Sequence, residues 1–238
     1  MIFPVKVPYT VGPEIVKYEG AAFNAHPDPA YLFEKKKELE TNGNHICASI
    51  NNDCLHHLNA YCGFELNSTL PEICIRLEED VAILKDGHLH AIGFCFPSGF
   101  YPAQKLGLSF FDLHLPVGDG ETLRRSSEKV ALLISKQDAM FRRYVWTLTS
   151  LASLSQLPSY NKPVPQSLNE LYFRTETQTT VGIGGDICLF FVKVEMHPLQ
   201  QVWDDLDKRK LVIESVNSMS EEVLTYKNLH LIKEIVNK

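Results

Sequence analysis

The stretch LYFRTETQTTVGI sets three long polar side chains, Arg174, Glu176 and Gln178, at a spacing of two. On a strand that spacing projects all three to one face, where guanidinium, carboxylate and amide either pair with one another or meet a ligand. Buried charges are costly unless paired or bound, and on periodicity alone an Arg–Glu ladder on a wet face is preferred. A second candidate is His114, set among apolar residues in FFDLHLPVGDG just before a turn. Such a histidine is usually a satisfied core residue and occasionally a metal ligand. His88 and His90 share one strand face by alternation, and the bland polar-face reading is favoured over a metal site. His56 and His57, adjacent on a helix, point about 100° apart and do not make a joint site.

Familiar chemical signatures are missing. GIGGD, residues 182–186, lacks GxGxxG spacing and a P-loop lysine, and it lies between two strand-like runs, so it reads as a hairpin turn. No GxSxG or HExxH motif occurs. The six cysteines form no CxxC pair, which argues against a structural zinc or iron–sulfur cluster held within the chain.

The elements that would position these residues can be read coarsely. DPAYLFEKKKELETNG predicts a helix with Asp28 as N-cap and Gly43 as its stop, its charge run forming a solvated face. CASINNDCLHHLNAYCGFEL reads as a further helix. ICIRLEEDVAILKDGHLHAIGFCFP gives two short strands joined at Asp86-Gly87, a strong hairpin signal. PSGFYPAQKLG holds one helical turn, ETLRRSSEKVALLISKQDAMFRR an amphipathic helix, and YVWTLTSLASLSQL a strand. After a Pro-rich loop, LYFRTETQTTVGI and DICLFFVKVEM are strands around Gly184-Gly185. SEEVLTYKNLHLIKEIVNK closes the chain as helix, opening on a Ser or Glu capping signal. Roughly five strands with short connections and interspersed helices point to an antiparallel α+β sheet.

Composition narrows the partners. A formal charge of −6 with no basic stripe argues against nucleic acid. No apolar run approaches the roughly 18 residues of a membrane helix. No secretory leader is read at the proline-broken N-terminus, so reduced thiols and a cytoplasmic location are expected.

Several segments together resemble the haem-dependent oxidative N-demethylase alpha-subunit family. In order they are LEEDVAIL, CFPSGFYPAQKLG, LHLPV, RRYVW, LYFRTETQT with DICLFFVKVEMHPL, and the late LTYKNL, from about Glu78 onward, with a weaker match in the N-terminal helical part. The family pattern is met by Glu79-Asp80, Pro97-Ser98 with Pro102, Lys105 and Gly107, by His114 to Val117, by Arg143 with Trp146, and by Arg174, Glu176, Gln178 and Thr179. Phe100, Gly118, Val145 and Thr177 depart from it, standing where the family has tryptophan, proline, asparagine and arginine.

The resemblance implies a PAS-like antiparallel sheet with flanking helices around haem b: a helical N-terminal region, residues 1–72, packed on a haem-binding core, residues 73–238, as one compact unit. It implies His114 as the iron ligand and Lys105, Arg143 and Arg174 near the haem propionates. Glu176 and Tyr172 become candidates for proton delivery, with Glu79 and Asp80 weaker ones. His88, His90 and His197 are the alternative ligands. The implied activity is a monooxygenase that activates O2 at the haem, oxidises a small amine, such as an N-methylated one, or a related metabolite, and releases amine and formaldehyde. Electrons would come from a separate flavin or iron–sulfur reductase, since the chain shows no dinucleotide fingerprint. A non-catalytic PAS-like haem-binding or sensor protein is the alternative, and a pocketed protein without haem a third.

Overall fold

The structure is a computed structural model describing residues 1–238. Its strands are β1 (Val16–Lys17), β2 (Cys47–Ser49), β3 (Asp80–Lys85), β4 (His88–Gly93), β5 (Met140–Thr149), β6 (Tyr172–Gly184) and β7 (Ile187–Pro198). Its helices are α1 (Pro29–Ile46), α2 (Leu55–Cys62), α3 (Leu70–Cys74), α4 (Phe110–Leu113), α5 (Glu121–Arg125), α6 (Ser127–Ile134), α7 (Gln200–Trp203), α8 (Leu206–Asn217), α9 (Glu221–Lys227) and α10 (His230–Val236). One seven-stranded sheet, in the order β1-β5-β6-β7-β3-β4-β2, carries the fold and every pairing in it is antiparallel. The fold class is therefore α+β, with helices flanking an antiparallel sheet. No helix is long and apolar enough to cross a membrane.

Both hairpins form where turn chemistry demands them. Asp86 and Gly87 take φ of 50° and 71°, the consecutive left-handed pair that matches strand twist between β3 and β4. Gly184, Gly185 and Asp186 are all left-handed between β6 and β7, so GIGGD is a turn and not a phosphate loop. PAQK supplies the expected single turn, a 3-10 helix at Pro102–Lys105.

Several boundaries differ from expectation, each for a local reason. Asp28 does cap α1, its side chain accepting from the Ala30 N–H at 2.9 Å. Gly43 does not end the helix: the break falls at Asn42, whose amide is held by Glu38 and Tyr160, and the chain resumes helix to bury Ile46 completely. CAS pairs with β4 as a short edge strand, so that helix begins only at Leu55. The helix expected over residues 121–143 splits at Ser126, where the hydroxyls of Ser126 and Ser127 bond back to Thr122 and Leu123 carbonyls. It ends at Ile134, and MFRR joins β5 because Met140 to Arg143 pair with β6. The closing helix is interrupted at Asn228, whose left-handed φ of 55° caps α9.

The charge run of α1 is solvated except at one position. Lys35 is fully buried, and its Nζ donates to the carbonyls of Leu77 and Glu79 at 3.0 and 2.7 Å and lies 3.1 Å from Asp80 Oδ1. Burial works most strongly against the Lys35 charge, but Asp80, with Cys95 and Cys74 adding to it, outweighs burial and pushes the ammonium above its ordinary range. Asp80 in turn accepts the backbone N–H groups of Cys95 and Phe96 at 3.0 and 2.8 Å. α1, the turn entering β3 and the segment leaving β4 are thus tied at one point. The apolar side of that junction is a core of α1–α3 residues, such as Leu58 and Ile73, packed on Ile83 and Phe191.

Removing one partner of such a pair leaves an uncompensated buried charge. Lys35→Met is expected to lower unfolding free energy by about 3–5 kcal/mol, far more than the surface change Lys36→Met. Denaturant unfolding of the two variants measures this, and equal small losses would contradict it.

Candidate active site

Alternation places Arg143, Val145 and Thr147 of β5 on the same sheet face as Arg174, Glu176 and Gln178 of β6, because Arg143 pairs with Gln178, Val145 with Glu176 and Thr147 with Arg174. The face continues through Val192 and Phe190 of β7 to Ala82 of β3. Above it lies a cavity of about 550 Å³, closed by α4, α6, the Val11–Ile15 segment and the end of α9. That volume falls within the roughly 300–1,000 Å³ of small-molecule and cofactor sites. Its wall is two-sided. β3, β4 and β7 supply Ala82, Ile92 and Phe190, faced by Phe110, Leu113 and Ile134, whereas β5, β6 and α9 supply Arg143, Arg174, Glu176 and Lys227, with Lys6, Glu14, Lys105 and Lys162 coming from the segments around them.

The Arg174–Glu176–Gln178 row is a hydrogen-bonded unit. Arg174 Nη1 pairs with Glu176 Oε1, Gln178 Nε2 donates to Glu176 Oε2 at 2.7 Å, and Arg174 Nη2 donates to the Phe96 carbonyl at 2.7 Å. The face is not the wet surface preferred from periodicity: Arg174 is 2% exposed, and its Nε has no partner. Burial pushes the Glu176 carboxyl up, but Arg174, Gln178 and Lys227 together outweigh it and hold it below the ordinary carboxylate range. It is an anion at neutral pH, able to hold a cation or take up a proton.

His114 is the only one of the nine histidines on the cavity wall. Ser109 caps α4 by accepting the Asp112 N–H, and His114 follows directly as the residue that ends this short helix. Its Nδ1 lies 2.6 Å from the Phe110 carbonyl oxygen, which can only accept, so Nδ1 carries the proton and Nε2 keeps its lone pair. Burial lowers the imidazole pKa, the Phe110 bond opposes that, and Arg143 adds to the lowering, leaving the ring neutral. The Phe110 ring tilts against it at 4.5 Å between centroids. A neutral imidazole oriented through its other nitrogen is the form that ligates iron.

Lys105, Arg143 and Arg174 all reach the same cavity. Arg143 donates from Nη1 to the Gly12 and Pro13 carbonyls at 3.4 and 3.3 Å and has no carboxylate within ion-pair distance. Tyr172 begins β6 but does not line the cavity, and neither do Glu79, Asp80, His88, His90 or His197. Asp80 is spent on Lys35 and on backbone, and His88 is exposed with Nδ1 on the Asp86 carbonyl. Of the departures from the family pattern, Phe100, Gly118 and Val145 stand on the wall while Thr177 does not. Gly118 has a packing reason: a Cβ there would lie 2.6 Å from the Glu222 backbone, so glycine lets the His114 segment touch the first turn of α9.

Sequence reasoning missed Lys227. Its Nζ donates to the Trp146 carbonyl at 3.0 Å from the end of α9, and it stands on the cavity wall. Burial pushes this ammonium down to about 8; Glu176 pulls the other way, while Arg174 and Arg143 reinforce the lowering. The residue lies in LTYKNL, one of the resembling segments, but its partners are far away in sequence.

The sequence family described as haem-dependent oxidative N-demethylase, alpha subunit-like matches residues 30–237, and the chain belongs to that family. No curated protein matches the chain. The residues present fit the group the family name implies: an apolar half for a macrocycle, cations and an unpartnered Arg174 Nε for carboxylates, and one neutral imidazole for a metal.

Lys227 gives the site a pH signature. Its folded value of about 8 lies below the ordinary lysine value of about 10.4, so between these the unfolded chain binds more protons and stability rises with pH. The penalty is full below about pH 8 and gone above about pH 10.4. The advantage of Lys227→Met over the unchanged chain is therefore expected to shrink as pH rises through this window. Denaturant unfolding at about pH 7 and about pH 10 checks it, and a constant difference would rule it out.

Proposed function

We propose that this member of the haem-dependent oxidative N-demethylase alpha-subunit-like family holds haem b in the sheet-face cavity and acts as a monooxygenase on a small N-methylated amine. The observation that carries the reading is the hydrogen bond from His114 Nδ1 to the Phe110 carbonyl, which orients a neutral imidazole with Nε2 available on an otherwise histidine-free wall. His114 would hold the iron. Lys105, Arg143 and Arg174 would meet the propionates, where Arg174 could use its unpartnered Nε. When bound, the haem supplies the oxidation, in which an N-methyl amine, O2, two electrons and two protons give the demethylated amine, formaldehyde and water.

The chain's own groups bind, orient and exclude water. The apolar half of the wall, with Phe100, Phe110 and Phe190, keeps solvent from a macrocycle. Glu176, fixed by Arg174 and Gln178, would hold the substrate ammonium and take its proton, exposing the amine lone pair. Its place on the wall favours it over Tyr172 for this role. The two electrons would come from a separate flavin or iron–sulfur reductase, in keeping with an alpha subunit's need for further components. A second reading, haem binding without turnover, draws on Phe100 and Val145, two departures that stand on the cavity wall.

Absorption spectroscopy after haem reconstitution tests the first reading. The unchanged chain is expected to show a Soret band that His114→Ala shifts or abolishes, while His88→Ala and His197→Ala leave it in place. No band would overturn haem binding, and an unchanged band in His114→Ala would overturn the ligand. Formaldehyde release from N-methyl amines with reductant and O2 separates enzyme from sensor.

A further inference from the structure

The cavity wall carries more positive charge than the proposed cofactor can neutralise. Six cations line it, Lys6, Lys105, Arg143, Lys162, Arg174 and Lys227, against the carboxylates Glu14 and Glu176. Lys6 and Glu14 are paired at 3.5 Å, which leaves five cations facing Glu176 alone. Two propionates would offset two of them and Glu176 a third, so two positive charges remain in a chain whose overall charge is −6. A ferrous iron–porphyrin core contributes no negative charge of its own. Like charges held together in a half-buried space cost free energy unless an anion joins them.

Lys227, like Lys105 and Lys162, has no carboxylate of its own, and of the three it is the one whose charge reaches Glu176, each shifting the other's titration. Its Nζ spends one of three donors on the Trp146 carbonyl, and no carboxylate lies within ion-pair distance. Next to it, Asn228 leads into a recess of about 440 Å³ that shares Gly99, Gln156, Lys162 and Asn228 with the cavity wall. Lys162 is the only charged residue on that recess, so the approach to the cavity, like the cavity itself, favours an anion over a simple alkylammonium ion.

We propose that the substrate carries a carboxylate as well as an N-methylated nitrogen, as an N-methyl amino acid does, with Lys227 holding the carboxylate and Glu176 the ammonium. The inference rests on the function proposed above and names its substrate class. A zwitterion of this kind answers both features of the wall at once: a fixed carboxylate, and an excess of cations around it. A small amine with no carboxylate would meet Glu176 but leave the excess in place and add to it.

The test titrates the haem-loaded chain with N-methylglycine and with dimethylamine, which share the N-methyl group but differ in the carboxylate, following the Soret band. N-methylglycine is expected to bind at least about tenfold more tightly. Lys227→Met should weaken N-methylglycine about tenfold or more and strengthen dimethylamine, a crossover that a purely structural lysine would not produce, and Lys227→Arg should restore the original order. Equal or tighter binding of dimethylamine by the unchanged chain, or a Lys227→Met variant that shifts both ligands alike, would overturn the proposal. If the chain takes up no haem, the proposed function falls on that result alone. Calorimetric titration of the haem-free chain with the same two compounds then decides the charge inference by the same criteria.

Discussion

The buried Lys35–Asp80 pair is the constraint on which the site depends. An ammonium with no exposed surface is tolerable only because three backbone carbonyls and a carboxylate surround it, and the carboxylate only because it also takes two backbone N–H groups. One of those N–H groups belongs to Phe96, whose carbonyl accepts from Arg174 Nη2. Arg174 then fixes Glu176, and Glu176 takes Gln178. A charge on the first helix is thereby connected through one residue, Phe96, to the polar floor of the cavity. Pairing of this kind contributes geometry more than net stability, since well-packed apolar residues could fill the same space at no greater cost.

The sheet separates the chemistry of the cavity by strand. β3 and β7, buried on both faces, read as nearly continuous apolar runs, and their cavity-side residues Ala82, Phe190 and Val192 are correspondingly apolar. β5 and β6 alternate, and their cavity-side residues include the charged Arg143, Arg174 and Glu176 beside Val145, Thr147 and Gln178. A haem has the same division, an apolar ring with charged carboxylates at one edge, so the wall matches it without any special loop. The contact between Gly118 and the Glu222 backbone brings the segment that carries His114 against α9, which carries Lys227. The third side of the site is therefore set by close backbone packing.

What could be read from the sequence divides along the same physical line. Features fixed by neighbours in the chain were legible: the Asp86-Gly87 and Gly184-Gly185 turns, the Asp28 cap, and the shared face of Arg174, Glu176 and Gln178. Features fixed by distant partners were not. Lys35 looks like any member of a solvated EKKKE run until Asp80 is placed beside it, and Lys227 like a helix-ending lysine until the Trp146 carbonyl is. Ser126 and Ser127 are ordinary helix residues by propensity, yet their back-bonding splits the helix expected across them. The burial of the Arg174 face was illegible for the same reason, because alternation gives the shared face but not what covers it.

The neutrality of His114 and the positive charge around it are one arrangement viewed from two sides. Burial disfavours an imidazolium, and Arg143 disfavours it further, so the ring stays in the form whose lone pair can bind a metal. The same cation has only two long backbone contacts to satisfy it, and so asks for an anion in the cavity. Replacing Arg143 by a neutral residue would relieve the second demand while weakening the first, which is why the ligand's protonation state and the charge of whatever fills the cavity cannot be set independently. A pocket built this way specifies its contents by charge before it does so by shape: a neutral nitrogen donor at one point, and anions wherever a buried guanidinium or ammonium lacks its own carboxylate.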